Sequence, residues 1–205
     1  METKHVDPSA LGLFGLAMVT LVASSQKLGL TTGFSFVLPW AIFLGAVAQL
    51  MAGSLDYKKG NVFGATAFCA YGLFWLGMAA SWLISMGALG EKLQAAVDTR
   101  EMGFAFVGYL ILTLFLTIGA AETNKVLFFI FVFIDLLFIG LAVSTFTAGA
   151  LHHPAHMLAA VSEMIIALLS FYGAGANVLN NHFGRTFLPV GKPFGVFVKG
   201  KIAGH

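Results

Sequence analysis

The chain has 205 residues, of which 59% are hydrophobic and 10% charged, with a mean hydropathy of +0.90 and a formal net charge of +2. Soluble domains carry about 25% charged residues, so these figures exclude an ordinary soluble domain, and so small a net charge gives no reason to expect a nucleic-acid partner. The 21 Phe and 24 Gly suit an all-α integral membrane protein, because Phe fills lipid-facing surface and small residues let helices approach closely.

About 20 mainly apolar residues cross a bilayer as a helix. On that scale the sequence predicts six spans, at roughly 8–24, 34–55, 61–84, 103–120, 125–150 and 155–180. The domain plan is a short N-terminal segment (1–7), a six-helix membrane domain (8–182) and a basic C-terminal tail (183–205). The N-terminus lacks a basic region followed by a short apolar core and a cleavage site, so the first span is expected to remain in the mature protein.

The first span opens with Asp7 as the expected N-cap and Pro8 at the first helical position. Gly12, Gly15 and Ala17 predict close packing against another helix. The stretch 49–75 leaves one apolar segment, crosses a turn holding Asp56, Lys58 and Lys59, and enters another. It reads as a transmembrane hairpin whose charges meet water at the turn. The segment 85–102 carries Glu91, Lys92, Asp98, Arg100 and Glu101 and is expected to form a short amphipathic external piece. Three histidines, His152, His153 and His156, are expected in the loop before the last span, where Pro154 discourages a continuous helix. The i, i+4 spacing of His152 and His156 is that of a metal pair, but no thiolate is near, and a solvated loop is the expected reading, with no metal and no cofactor. The one cysteine, Cys69, excludes an intrachain disulfide. The tail, with Phe194 and Phe197, is expected on the anionic inner leaflet or disordered.

With six spans, Lys4, Lys58, Lys59, Lys125, Arg185, Lys192, Lys199 and Lys201 fall on the side of the termini, and Lys27, Lys92 and Arg100 on the other. Positive residues favour the cytoplasm, so a multi-pass protein of the cell membrane with both termini inside is expected.

An ionisable side chain at membrane depth is a functional candidate, because burying it is expensive. Asp135, among Phe131, Val132, Phe133, Ile134, Leu136 and Leu137, is expected to face a wet cavity or to be protonated. Glu163, about two turns into its helix, is expected to reach the outer interface. Gln49, Asn61, Thr66, Tyr71, Thr145 and Asn177 are spread over several spans, as polar residues lining a solute path would be, although each alone is more often interhelical glue. No Gly-x-Ser-x-Gly, His-Glu-x-x-His or phosphate loop is present, so hydrolase and ATP-driven pump chemistry find no support and an enzyme is not expected.

The run Ala48-Gln49, Ala52-Gly53, Tyr57, Gly60-Asn61, Phe63-Gly64, Thr66-Ala67-Phe68, Tyr71-Gly72 and Phe74-Trp75 resembles the signature of the acetate uptake transporter family. That family includes the bacterial succinate–acetate permease and fungal and archaeal relatives. The ending, with Asn180 and then Phe183-Gly184-Arg185-Thr186-Phe187-Leu188-Pro189, extends the resemblance over nearly the whole chain. The resemblance implies a six-helix protomer, a ring-shaped homo-hexamer, and a path for acetate through each protomer with an apolar narrowing at Leu16, Tyr71 and Ile134. Leu16 stands for a family Phe and Ile134 for a Leu. Asp7 replaces an Asn of the entry motif, Asn177 stands where the bacterial permease has Glu, and Asp135 where it has a small hydroxyl residue.

The expected function is a channel or secondary transporter for acetate and similar small carboxylates, with succinate as a candidate among them. Gln49, Asn61, Thr66, Tyr71 and Asn177 would line the path, and Asp135 would carry the proton if transport is proton-coupled. One alternative is a neutral-solute channel for urea, amides, ammonia or water, because no Lys or Arg lies deep in a span. Another is a membrane sensor or enzyme using His152, His153 and His156.

Overall fold

The computed structural model describes residues 7–197. Lys4, Lys199 and Lys201, with the outer parts of both predicted tails, lie outside the described residues. Six apolar helices are long enough to cross a membrane: α1 Ser9–Lys27, α2 Val37–Lys58, α3 Val62–Ser85, α5 Thr99–Ala120, α6 Lys125–Phe146 and α7 His152–Phe183. A single turn, α4 Glu91–Ala95, and a short 3-10 segment, Gly149–Leu151, sit between spans.

Side chains at the turns set the helix starts, because the first backbone N–H groups of a helix have no partner within it. Asp7 Oδ1 accepts from Ser9 N at 2.9 Å, Asn61 Oδ1 from Gly64 N at 3.2 Å and Asn124 Oδ1 from Leu127 N at 2.9 Å. Asp98 caps α5 and is also clamped by the Arg100 side chain. The hydrogen bonds from Arg100 hold the Asp98 carboxyl down at about 2, so this cap stays charged throughout the neutral range. Gly184, at φ 61°, ends α7 in the left-handed conformation that glycine adopts without strain.

Within α2, Ala41–Ala48 runs as a π-helix, a rare form that is frequent at functional sites. α1 packs between α2 and α7, α7 on α6, and α6 on α5, while α2 pairs with α3. The predicted close packing of α1 is present: a Cβ at Gly12 would collide with the Phe68 ring, and one at Gly15 with the Leu44 carbonyl oxygen. At Gly140 a Cβ would stand 2.6 Å from the Ala155 carbonyl oxygen and 2.7 Å from Ala159 N. Backbone cannot yield as a side chain can, so Gly140→Leu is expected to separate α6 from α7 and cost about 3 kcal/mol or more. Thermal unfolding in detergent checks this, and an unchanged transition would refute the contact.

Several boundaries depart from the sequence reading. α1 continues to Lys27, and α5 begins at Thr99, inside the segment read as external; the five residues of α4 are exposed and bury no face. His152, His153 and His156 belong to α7, not to a loop. Pro154 is its third residue, where the missing N–H would have had no helical partner in any case. His152 Nδ1 donates to the Ser144 carbonyl at 2.9 Å. Because α7 starts early, Glu163 does not reach the interface: it is 2% exposed, and Lys27 Nζ, at the end of the lengthened α1, meets its carboxylate at 2.8 Å.

Candidate functional site

A cavity of about 610 Å³ opens on the side of the α2–α3 and α5–α6 turns. Three helix starts border it, through Asp7 and Ser9 of α1, Asn61 and Gly64 of α3, and Asn124 with Leu127 of α6. The partial positive charge of a helix N-terminus favours anions, and here three converge on one mouth. Deeper, the wall is apolar, with Leu13, Leu16, Phe63, Phe68, Ile130, Phe131 and Ile134. A second, far smaller cavity of about 20 Å³ lies beyond and is lined by Thr20, Phe74, Trp75, Leu137, Phe138 and Ile166. Leu16, Tyr71 and Ile134 line both cavities and so stand between them.

Of the residues expected on a path, Gln49, Asn61, Tyr71 and Asn177 line the large cavity. Thr66 does not. At about 100° per residue, Gly64, Ala67, Phe68 and Tyr71 share the cavity face of α3 and Thr66 falls opposite, on the face of the exposed Val62 and Leu73. Thr145 back-bonds to the Leu141 carbonyl at 2.7 Å and lines neither cavity. Asp135 lines neither cavity, so the wet surroundings expected for it are not found there. It follows Ile134 by one residue and therefore points away from the cavity, toward α5, where its Oδ2 accepts from Thr117 Oγ1 at 2.6 Å.

Gln49 is fully buried, donates through Nε2 to the Gly45 carbonyl at 2.8 Å within the π-helical stretch, and leaves Oε1 without a protein partner. Tyr71 Oη lies 2.8 Å from Thr113 Oγ1, and Thr113 Oγ1 lies 2.7 Å from the Tyr109 carbonyl oxygen. A carbonyl only accepts, so Thr113 donates to it and Tyr71 donates to Thr113.

The sequence reading missed two features. Asp56 is not at the solvated turn: it is 1% exposed, hydrogen-bonded by the Asn61 side chain and pressed against Gly64, where any Cβ would collide with its Oδ2. Its register on α2 turns it inward beneath the start of α3, which the local run of charges conceals. The second is the tail, which through Phe197 is hydrogen-bonded to the helix bundle. Asn180 binds it through Phe187 N and Leu188 N at 2.7 and 2.9 Å, and Val190 accepts from Val126 N at 3.1 Å. Glu122 Oε1 takes both Val196 N and Phe197 N, at 2.7 and 2.9 Å, and Val190 and Phe197 complete the cavity mouth. Glu122→Ala is expected to release that end of the tail; faster amide exchange at Val196 and Phe197 checks it, and unchanged exchange would show that other contacts suffice.

Among the described residues no group of three or more His, Cys, Asp or Glu is placed to hold a metal. A model of the GPR1/FUN34/yaaH family matches residues 1–192. The succinate-acetate/proton symporter SatP of Escherichia coli K12 is 36% identical over 192 residues, covering 93% of this chain and 98% of that protein. The solved structure of the bacterial acetate channel SatP superimposes with a TM-score of 0.81 at 36% identity, covering 92% of this chain and 100% of the other. The ammonia transport outward protein 2 of Saccharomyces cerevisiae is 28% identical over 179 residues, covering 85% of this chain and 62% of that protein.

Proposed function

Since this chain belongs to the GPR1/FUN34/yaaH family, we propose that it is a membrane channel or secondary transporter for acetate and similar small carboxylates, with succinate in range. The observation that carries this reading is the cavity: three helix starts at a mouth, leading to an apolar end that stops at Leu16, Tyr71 and Ile134. The mouth attracts a carboxylate. The apolar end accommodates a methyl group, and the narrowing disfavours large solutes. Gln49, Asn61, Tyr71 and Asn177 line the path. The relatives named above are transporters or channels by name, not enzymes.

Both termini lie in the cytoplasm in this reading, on the charge bias of Lys58, Lys59, Lys125, Arg185 and Lys192 against Lys27, Lys92 and Arg100. The assembly is a ring-shaped homo-hexamer. Exposed apolar side chains on α5, among them Phe104 at 72% and Phe115 at 70%, suit lipid or a neighbouring protomer, and native mass spectrometry reads the number of copies.

The reading is tested by labelled acetate uptake into proteoliposomes, with the uptake of empty liposomes subtracted because acetic acid crosses lipid unaided. Saturable, protein-dependent uptake is expected. Its absence, with uptake of ammonia or urea instead, would favour the second reading, a neutral-solute channel. Two observations favour that reading: among the described residues no Lys, Arg or His lines either cavity, and a yeast relative is named for ammonia transport.

A further inference from the structure

The wall of the cavity holds an unpartnered acceptor. Gln49 Oε1, fully buried at the cavity wall, has no protein partner, and its identity as oxygen is fixed because Nε2 must be the atom facing the Gly45 carbonyl. The Tyr71 proton is committed to Thr113, so its hydroxyl is not free to donate to a solute. Beyond the narrowing, Thr20 donates to the Leu16 carbonyl at 2.7 Å, and the side-chain N–H on that wall is the uncharged indole of Trp75. Among the described residues, the charged groups that line the cavity are anionic, Asp7 and Glu122 at its mouth.

Resting on the small-carboxylate reading, we propose that the solute passes the narrowing between the two cavities as the undissociated acid, the proton riding on the substrate and not on Asp135. A carboxylate there would lose water, meet no cation among the described residues, and set its charge against Gln49 Oε1; a buried charge without a partner is strongly disfavoured. The neutral acid uses both halves of the amide, its O–H donating to Oε1 and its C=O accepting the second N–H of Nε2. The proton balance is simple. A carboxylate drawn to the mouth takes one proton from vestibule water, the acid crosses, and the same proton is released on the far side. No protein group changes charge. At pH 7 a carboxyl group of ordinary pKa near 4.3 is protonated in about one molecule in five hundred, so the acid is scarce but replenished as fast as water delivers protons.

The test uses the full chain in proteoliposomes with voltage clamped by potassium and valinomycin, empty liposomes subtracted. Across pH 5.5 to 7.5 at fixed total acetate, uptake is expected to fall about tenfold per unit, following the undissociated acid, and to ignore voltage. Asp135→Asn should keep that profile, and Gln49→Leu should lower uptake at least tenfold. Should the leucine variant fail to fold, methanesulfonate decides: of similar size but ionised throughout, it should not be carried. Uptake that follows the anion and the voltage, or methanesulfonate carried like acetate, would overturn the proposal. A profile flattened by Asp135→Asn would return the proton to Asp135. No protein-dependent acetate uptake at any pH would instead sink the carboxylate reading on which the proposal rests.

Discussion

Lys27→Ala is expected to be the most destabilising single change in this protein outside its glycine contacts. Lys27 and Glu163 meet at 2.8 Å with side chains 13% and 2% exposed, so the pair sits in a nearly dry seam between α1 and α7. Removing the lysine leaves the glutamate buried beside the neutral Ser24 and Met164 region, and breaking such a pair costs about 3–5 kcal/mol. The double replacement Lys27→Met with Glu163→Leu removes both charges and should recover most of that loss, because well-packed apolar residues match or exceed a buried ion pair. Thermal unfolding in detergent reads both. A single variant as stable as the parent would mean that Glu163 is solvated in the membrane, contrary to its burial.

Leu16→Ala is expected to change what the protein selects. Leu16 is 6% exposed and one of the residues shared by the two cavities. Trimming its side chain to a methyl joins the two spaces and costs stability toward the lower end of the 2–5 kcal/mol typical of Leu→Ala, since open space already flanks the site. A few methylenes of room in an apolar site alter discrimination by about tenfold or more, so succinate uptake should rise by that factor relative to acetate. Leu13→Ala, on the same helix and the same wall but lining only the larger cavity, should leave the ratio unchanged. Equal effects from both would place the size filter elsewhere than at the narrowing.

What the sequence determined by itself was set by rules that act locally along the chain. Six apolar runs long enough to span lipid fixed an all-helical membrane protein, because lipid leaves backbone groups no partner outside a helix. Asp7 and Asn61 announced their helix starts, and Gly12 and Gly15 the close approach of α1 to its neighbours. The family signature in residues 48–75 led to the transport class. Tertiary structure decided which face of each helix meets which neighbour, and a helical position read without its partners carries no such direction. That is why Gln49 and Tyr71 reach the cavity while Thr66 and Asp135 do not. It is also why Asp56, in a run of charges that reads as solvated, is buried under α3. Glu163 found Lys27 across 136 positions of sequence, and Glu122 found the tail across 74. Such pairings depend on packing between distant segments, and no local pattern encodes them.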